Sequence, residues 1–362
     1  MASITVIIPA FNEFDWICHT LRSLTESYES YRSLVTSPGT VRVIVIVNQP
    51  QQICQSPTEN NLDTLNYLKQ LTLPFLLIAL DHTDGLKNGV GEARFKGADY
   101  AIESFDLSEQ DLVVSLDADC TVHKDYFSAL FKLYALPYAG FTLGFEHRSY
   151  DGILPKPMII YELYLRYMKW GLSKARSPFD YYTIGSCLGT SVYYYKLSGG
   201  FPKKTGTEDF HFLNKLRKLG PIQHVPKTLV YPSSRISNRV HLGTGYFLGQ
   251  YHNDQDLGIT IPSCSDFGIL GQVLKKLDDY YDHPSEVERW LRLHFEVFFF
   301  KSQVFSKIST VAQHSKTRES YQKKLLQVFD GFQTLRLLKY LAMKNSRSLE
   351  SLIKEVGHAL ET

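Results

Sequence analysis

Leu112-Val113-Val114-Ser115-Leu116-Asp117-Ala118-Asp119 joins a short apolar run to two carboxylates one residue apart. A run of this length and composition predicts a strand buried on both faces, and the aspartates then stand at its carboxyl end. Two carboxylates so placed can offer oxygen ligands to a hard divalent cation and, through it, orient a nucleotide diphosphate. The pair alone describes a solvated turn or a helix start equally well, because Asp caps free N–H groups. Its surroundings have to decide between these readings.

Working outward, the preceding sequence alternates apolar runs with helical spacing. Strands are predicted at Ile4–Ile8, Val41–Val47 and Phe75–Leu80, with helices at Glu13–Ser27, Leu62–Leu71 and Gly91–Phe105 between them. Continuous apolar runs separated by helices predict an α/β fold with a mostly parallel central sheet and helices on both faces. Ligands of such sheets bind beyond the carboxyl ends of the strands, where Asp117 and Asp119 would lie. Past residue 136 the pattern loosens into Pro/Gly-punctuated segments, a tyrosine-rich stretch from Tyr181 to Tyr195, and a loop and helix around Thr207–Leu219. From about Asp266 it becomes helical, with Glu286–Ser309 and Tyr321–Met343 the clearest elements. The turn-like Ile261-Pro262-Ser263 suggests a first domain over 1–262 and a helical C-terminal region over 263–362.

Composition removes several classes of function. At 362 residues the chain can bury a full core. Its 39 basic and 37 acidic residues leave a net charge of +2, which argues against bulk electrostatic binding to nucleic acid. Five scattered cysteines, with no C-x-x-C pair and an odd total, suit a reducing compartment better than a disulfide framework. Met1-Ala2-Ser3 leads directly into a strand without a basic leader, and no apolar stretch is long enough to predict a transmembrane segment. The expected location is cytoplasmic.

The common phosphate cradles are missing. The first strand-to-helix turn reads Pro9-Ala10-Phe11-Asn12-Glu13, neither a G-x-G-x-x-G dinucleotide fingerprint nor a P-loop. Gly89-Val90-Gly91 opens a later helix, but its continuation through Gly97 does not keep the fingerprint spacing.

With the motifs in this order, the chain resembles the family 2 glycosyltransferases of the GT-A fold, the nucleotide-diphospho-sugar transferases. The resemblance rests on Ile8-Pro9-Ala10-Phe11-Asn12-Glu13, Gly89-Val90-Gly91-Glu92-Ala93-Arg94, Leu116-Asp117-Ala118-Asp119, Gly199-Gly200-Phe201-Pro202 and Thr207-Glu208-Asp209-Phe210. It spans roughly the first 250 residues and leaves the helical tail outside.

The resemblance implies an inverting hexosyltransferase that uses a divalent cation, Mg²⁺ or Mn²⁺, and a UDP- or GDP-linked donor. Pro9, Phe11 and Glu13 would form part of the base and ribose pocket. Asn48 stands where relatives often carry an Asp facing the base, which leaves the donor nucleotide open. Arg94 would face the diphosphate from a helix N-terminus. Asp117 would contact the ribose or the metal environment, and Asp119 would be the more direct metal ligand. Asp209 would be the base that activates the acceptor hydroxyl, with Glu208 beside it, although two acids in a helix's first turn also complement its dipole. His241 could complete the metal site. Arg235 and Arg239 could close over the diphosphate, and Tyr182, Thr183, Gly185 and Ser186 are acceptor-site candidates.

The acceptor itself is not legible. Cell-surface glycan assembly is one expectation, and a synthase that glycosylates a small glycerate-type acid, bound through Arg235 and Arg239, is a second. A non-catalytic nucleotide-sugar-binding protein is a third. The aromatic run Phe295–Phe300 either packs the tail or makes a peripheral contact with the inner face of a membrane.

Overall fold

The computed structural model describes residues 2–51, 56–149, 152–235 and 261–344. The chain forms two compact units, Met1–Glu162 with Thr183–Asp254, and Leu163–Tyr182 with Gln255–Thr362.

The first unit is built on an eight-stranded mixed sheet. Its elements are β1 (Ser3–Ala10), α1 (Phe14–Leu34), β2 (Thr40–Pro50), α2 (Glu59–Gln70), β3 (Leu76–Leu86), α3 (Gly89–Ser104), β4 (Leu112–Ser115) and β5 (Thr121–Val122). They continue with α4 (Tyr126–Leu133), β6 (Gly140–Phe145), α5 (Lys156–Lys174), β7 (Leu188–Ser191), α6 (Val192–Ser198), α7 (Glu208–Leu219) and β8 (Ile222–Tyr231). The division between the units falls within α5. Strand order is β3-β2-β1-β4-β7-β6-β8-β5. Parallel pairing joins β3, β2, β1 and β4, and separately β6 with β8. Only β7 and β5 run against the rest.

This topology positions the site. Because β7 is antiparallel to both β4 and β6, it restores the direction of β4 in β6 and β8. The carboxyl ends of β1, β2, β4, β6 and β8 therefore open on one edge of the sheet. All eight residues of β1 are buried, as its central place demands, the polar Ser3 and Thr5 included. α1 covers the sheet with Ile17, Leu21, Leu24, Tyr28 and Tyr31.

The second unit packs Tyr167 of α5 with α8 (Cys264–Asp279), α9 (Pro284–Glu296), a π-turn (Val297–Lys301), α10 (Val304–Gln313), α11 (Arg318–Val328) and α12 (Gly331–Lys344). α8 starts in a capping box: Ser263 Oγ accepts from Asp266 N (3.2 Å), and Ser263 N donates to Asp266 Oδ2 (2.8 Å).

The two long helices expected here are each broken. Phe295, Phe298 and Phe299 are all buried, and the first break falls at Phe295 itself, whose backbone leaves helical geometry at φ −140° and ψ 31°. The π-turn widens the helix where these rings turn inward, and Gln303, at φ 60°, starts α10 on a new axis. The second break lies at Asp330, whose Oδ1 accepts from Phe332 N and Gln333 N at 3.0 and 3.2 Å. An aspartate that caps a new helix ends the old one. The buried rings pack within this unit's core, whereas Leu293 and Val297 are exposed. Among the described residues no helix is long and apolar enough to cross a membrane.

Candidate active site

The Asp117–Asp119 turn is held from two sides. Leu116 N donates to Ile7 O of β1 (3.1 Å), continuing the ladder one residue past β4, and Cys120 N donates to Asp117 O (3.2 Å) to close the turn. α1 holds the exit. Thr20 Oγ1 donates to Ala118 O (2.7 Å), Ser23 Oγ accepts from Val122 N (3.0 Å), and Ser27 Oγ accepts from Phe127 N (3.1 Å). Ligand atoms of Asp117, Asp119 and Cys120 lie within 4.8 Å of one another. The Asp117 and Asp119 side chains are 37% and 20% exposed, so the carboxylates remain within reach of a ligand. Burial and the two aspartates push the Cys120 thiol well up, so it stays protonated at neutral pH.

Arg94 lies beneath this turn. Only 3% exposed, it donates Nε–H to Ser115 Oγ (2.8 Å) and makes ion pairs through its two terminal nitrogens with Asp117 and Glu208. All three guanidinium nitrogens thus address the protein, where a diphosphate-facing position had been expected. The bridge joins residues 94, 117 and 208 across three separate chain segments. Its close approach also explains Gly185, because a Cβ there would come within 2.6 Å of Arg94 Nη2. Gly91, one turn earlier, touches the loop that leads to Glu208. It donates N–H to Lys204 O (3.0 Å), and a Cβ would meet Pro202 O at 2.3 Å. Gly89 and Gly91 therefore serve backbone packing against residues 202–205.

Glu208 and Asp209 open α7 behind Thr207, whose φ of +58° is unusual for a β-branched residue. That turn directs Glu208 to Arg94 and leaves Asp209 beside it. Asp209 Oδ1 accepts from Phe210 N (2.7 Å). Burial, reinforced by the Glu208 charge, pushes the Asp209 carboxyl up to about 7.

A second arginine bridges acids from the opposite side. Arg235, just past β8, donates Nε–H to Asp119 Oδ2 (2.8 Å) and pairs through Nη2 with Glu13 in the β1–α1 loop. Its Cζ lies 5.3 Å from the centroid of Trp16, a contact the sequence did not signal. Two carboxylates raise its affinity for its proton.

The remaining candidates are placed as follows. Pro9 sits within β1, paired in register with Ile46, and Phe11 is half-buried just after it. Asn48 is buried and donates Nδ2–H to Ala10 O (3.3 Å) and Ile46 O (3.1 Å), tying the ends of β1 and β2 together. Thr183, Gly185 and Ser186 precede β7 in the first unit, and Ser186 is buried. Tyr182 belongs to the second unit, where Lys169 Nζ lies 5.7 Å from its ring. Arg239 and His241 lie outside the described residues.

Against known families, the model described as Glycosyl transferase family 2 matches residues 5–196, more than half of the chain. This chain is a family 2 glycosyltransferase. Its mixed sheet is the GT-A arrangement, followed by a helical C-terminal region. No curated protein sequence matches the glycosyltransferase significantly. Among solved structures, S. aureus TarS is similar at 13% identity and TM-score 0.42, covering 95% of this chain and 55% of TarS. TarS 1-349 in complex with UDP-GlcNAc is similar at 12% identity and TM-score 0.43, covering 95% of this chain and 91% of the other. The mannosyltransferase PcManGT from Pyrobaculum calidifontis, in complex with GDP-Man and Mn²⁺, is similar at 15% identity and TM-score 0.43, covering 94% and 84%.

Proposed function

We propose that this glycosyltransferase is a metal-dependent, inverting hexosyltransferase, taking its sugar from a UDP- or GDP-linked donor and passing it to a hydroxyl acceptor in glycan assembly. The observation that carries this is the Arg94 bridge, which brings the Asp117–Asp119 turn and the Glu208–Asp209 pair into one constellation. The donor set fits a hard cation: two partly exposed carboxylates at the carboxyl edge of the sheet, with charge to spare after both arginines are paired. Asp119 and Asp117 would hold Mg²⁺ or Mn²⁺, and bound there the cation supplies Lewis-acid stabilisation of the departing diphosphate.

Asp209 takes the acceptor's proton as the hydroxyl oxygen attacks the anomeric carbon from the face opposite the leaving group. A carboxyl pushed up to about 7 suits that task at neutral pH, since it is half deprotonated and a better base than an ordinary carboxylate. Glu208, fixed by Arg94, positions its neighbour.

Thermal shifts with UDP-, GDP- and dTDP-sugars, with and without Mn²⁺, followed by assay of nucleoside diphosphate release, test the reading. Metal-dependent stabilisation by one nucleotide class is expected, and its absence with all three would overturn it. Asp209→Asn should lower turnover by about 10²–10⁴-fold with donor binding retained. The wild-type rate should rise with pH to half its plateau near pH 7.

A further inference from the structure

Asp119, the carboxylate best placed to receive a cation, already has one. Arg235 donates to its Oδ2 at 2.8 Å, and the same guanidinium pairs with Glu13, from the β1–α1 loop. Trp16 lies beside the guanidinium, 5.3 Å from its Cζ. The arrangement is built: Arg235 N–H donates to Ser233 Oγ (3.3 Å), and Ser234 N–H donates to Arg148 O (3.0 Å), so the backbone is anchored at the base of the side chain. Arg235 is nonetheless 21% exposed, unlike Arg94 at 3%.

We propose that Arg235 makes cation binding conditional on the donor: in the donor-free enzyme its guanidinium stands on Asp119 and Glu13 in the cation's stead, and the cation is admitted together with a nucleoside diphosphate. This rests on the assignment of Asp119 as a metal ligand. A free divalent ion must displace a cation tethered to the same chain, whose effective concentration is of the order of millimolar or higher. Displacement alone leaves the guanidinium without its two carboxylates. A diphosphate arriving with the metal changes that balance, because its oxygens offer a planar guanidinium the bidentate partner it loses. The exchange then re-pairs both groups that the metal separates, with Asp119 passing from guanidinium to metal and Arg235 gaining phosphate in place of Asp119. The consequence is an order of binding, in which metal alone is excluded and the metal–nucleotide complex is accepted.

The test is a Mn²⁺ titration followed by the electron paramagnetic resonance of free Mn²⁺, on the full chain, with and without UDP or GDP. Wild type should bind Mn²⁺ at least tenfold more tightly with the accepted nucleotide than without it. Arg235→Gln should bind Mn²⁺ without nucleotide at least tenfold more tightly than wild type, and adding Asp119→Asn should abolish that gain. Glu13→Gln, which removes the second anchor of the guanidinium, should shift nucleotide-free affinity in the same direction and serves if Arg235→Gln does not fold. Equal nucleotide-free affinities in wild type and these variants would overturn the proposal while leaving the metal site intact. Absence of nucleotide-dependent Mn²⁺ binding in wild type and variants alike would instead remove the assignment of Asp119 on which it stands.

Discussion

Two arginines each bridge a pair of acids, and the contrast between them separates scaffold from moving part. Arg94 is buried, has a partner on each of its three nitrogens, and reaches Glu208, 114 positions away in sequence. Arg235 is partly exposed, joins Asp119 to Glu13, and stands at the mouth of the site. A buried guanidinium cannot leave its carboxylates without stranding charge in a low-dielectric interior, whereas a partly exposed one can exchange partners at lower cost. The same residue type and pairing pattern thus give a permanent clamp in one place and a replaceable contact in the other.

Removing the buried clamp should have the largest effect. Arg94→Ala is expected to lose about 3–5 kcal/mol of stability, read by urea denaturation, because Asp117 and Glu208 are left facing each other without a counter-ion. Arg94→Lys should recover only part of that, since one ammonium does not reproduce a fork that reaches two acids and Ser115. A wild-type-like denaturation midpoint for Arg94→Ala would end the distinction drawn above. Gly185→Ala comes next. It drives a methyl toward Nη2 of a guanidinium that its three partners prevent from moving, and should cost about 1–3 kcal/mol in the same assay.

A smaller effect, of opposite sign, should follow from Asp209→Asn. The Asp209 carboxyl binds its proton more tightly in the folded chain than in the unfolded one, so the folded state holds more protons between about pH 4, an ordinary carboxyl value, and pH 7. Stability contributed by this residue is therefore present below pH 4 and lost as pH rises through 7. Asp209→Asn should melt roughly 2–4 °C above wild type at pH 8, with the difference closing near pH 4, a stabilisation gained where activity is lost. The smallest effect is expected at the partly exposed bridge. Arg235→Gln should cost less stability than Arg94→Ala while altering Mn²⁺ binding, and a loss as large as that of Arg94→Ala would show that both arginines are scaffold.

The half of the sheet built from β1 to β4 was legible because parallel strands covered on both faces need mostly apolar runs, and Ile4–Ile8 and Val41–Val47 supply them with one polar residue each, Thr5 and Arg42. β7 was not. Leu188-Gly189-Thr190-Ser191 has no apolar run and reverses direction between two parallel neighbours, so only its pairing with Val113 and Phe141 makes it a strand. The acidic motifs stood out because their residue types and order are distinctive. What Arg94 does with them did not, because Glu208 is brought in by chain closure over 114 residues and no local spacing encodes that. Gly185 was legible as a small residue near the site, but its need for smallness lies in Arg94 and so in the tertiary structure.

The hydroxyls of Thr20, Ser23 and Ser27, spaced three and four apart on α1, make the helix a ruler against which the segment from Ala118 to Phe127 is laid out. A ruler works only in one register. Inserting or deleting a single residue in α1 upstream of Thr20 would turn that face by about 100°, carrying all three hydroxyls off their marks while the helix itself survived. The position of Asp119 is thereby indexed to the rotation of a helix.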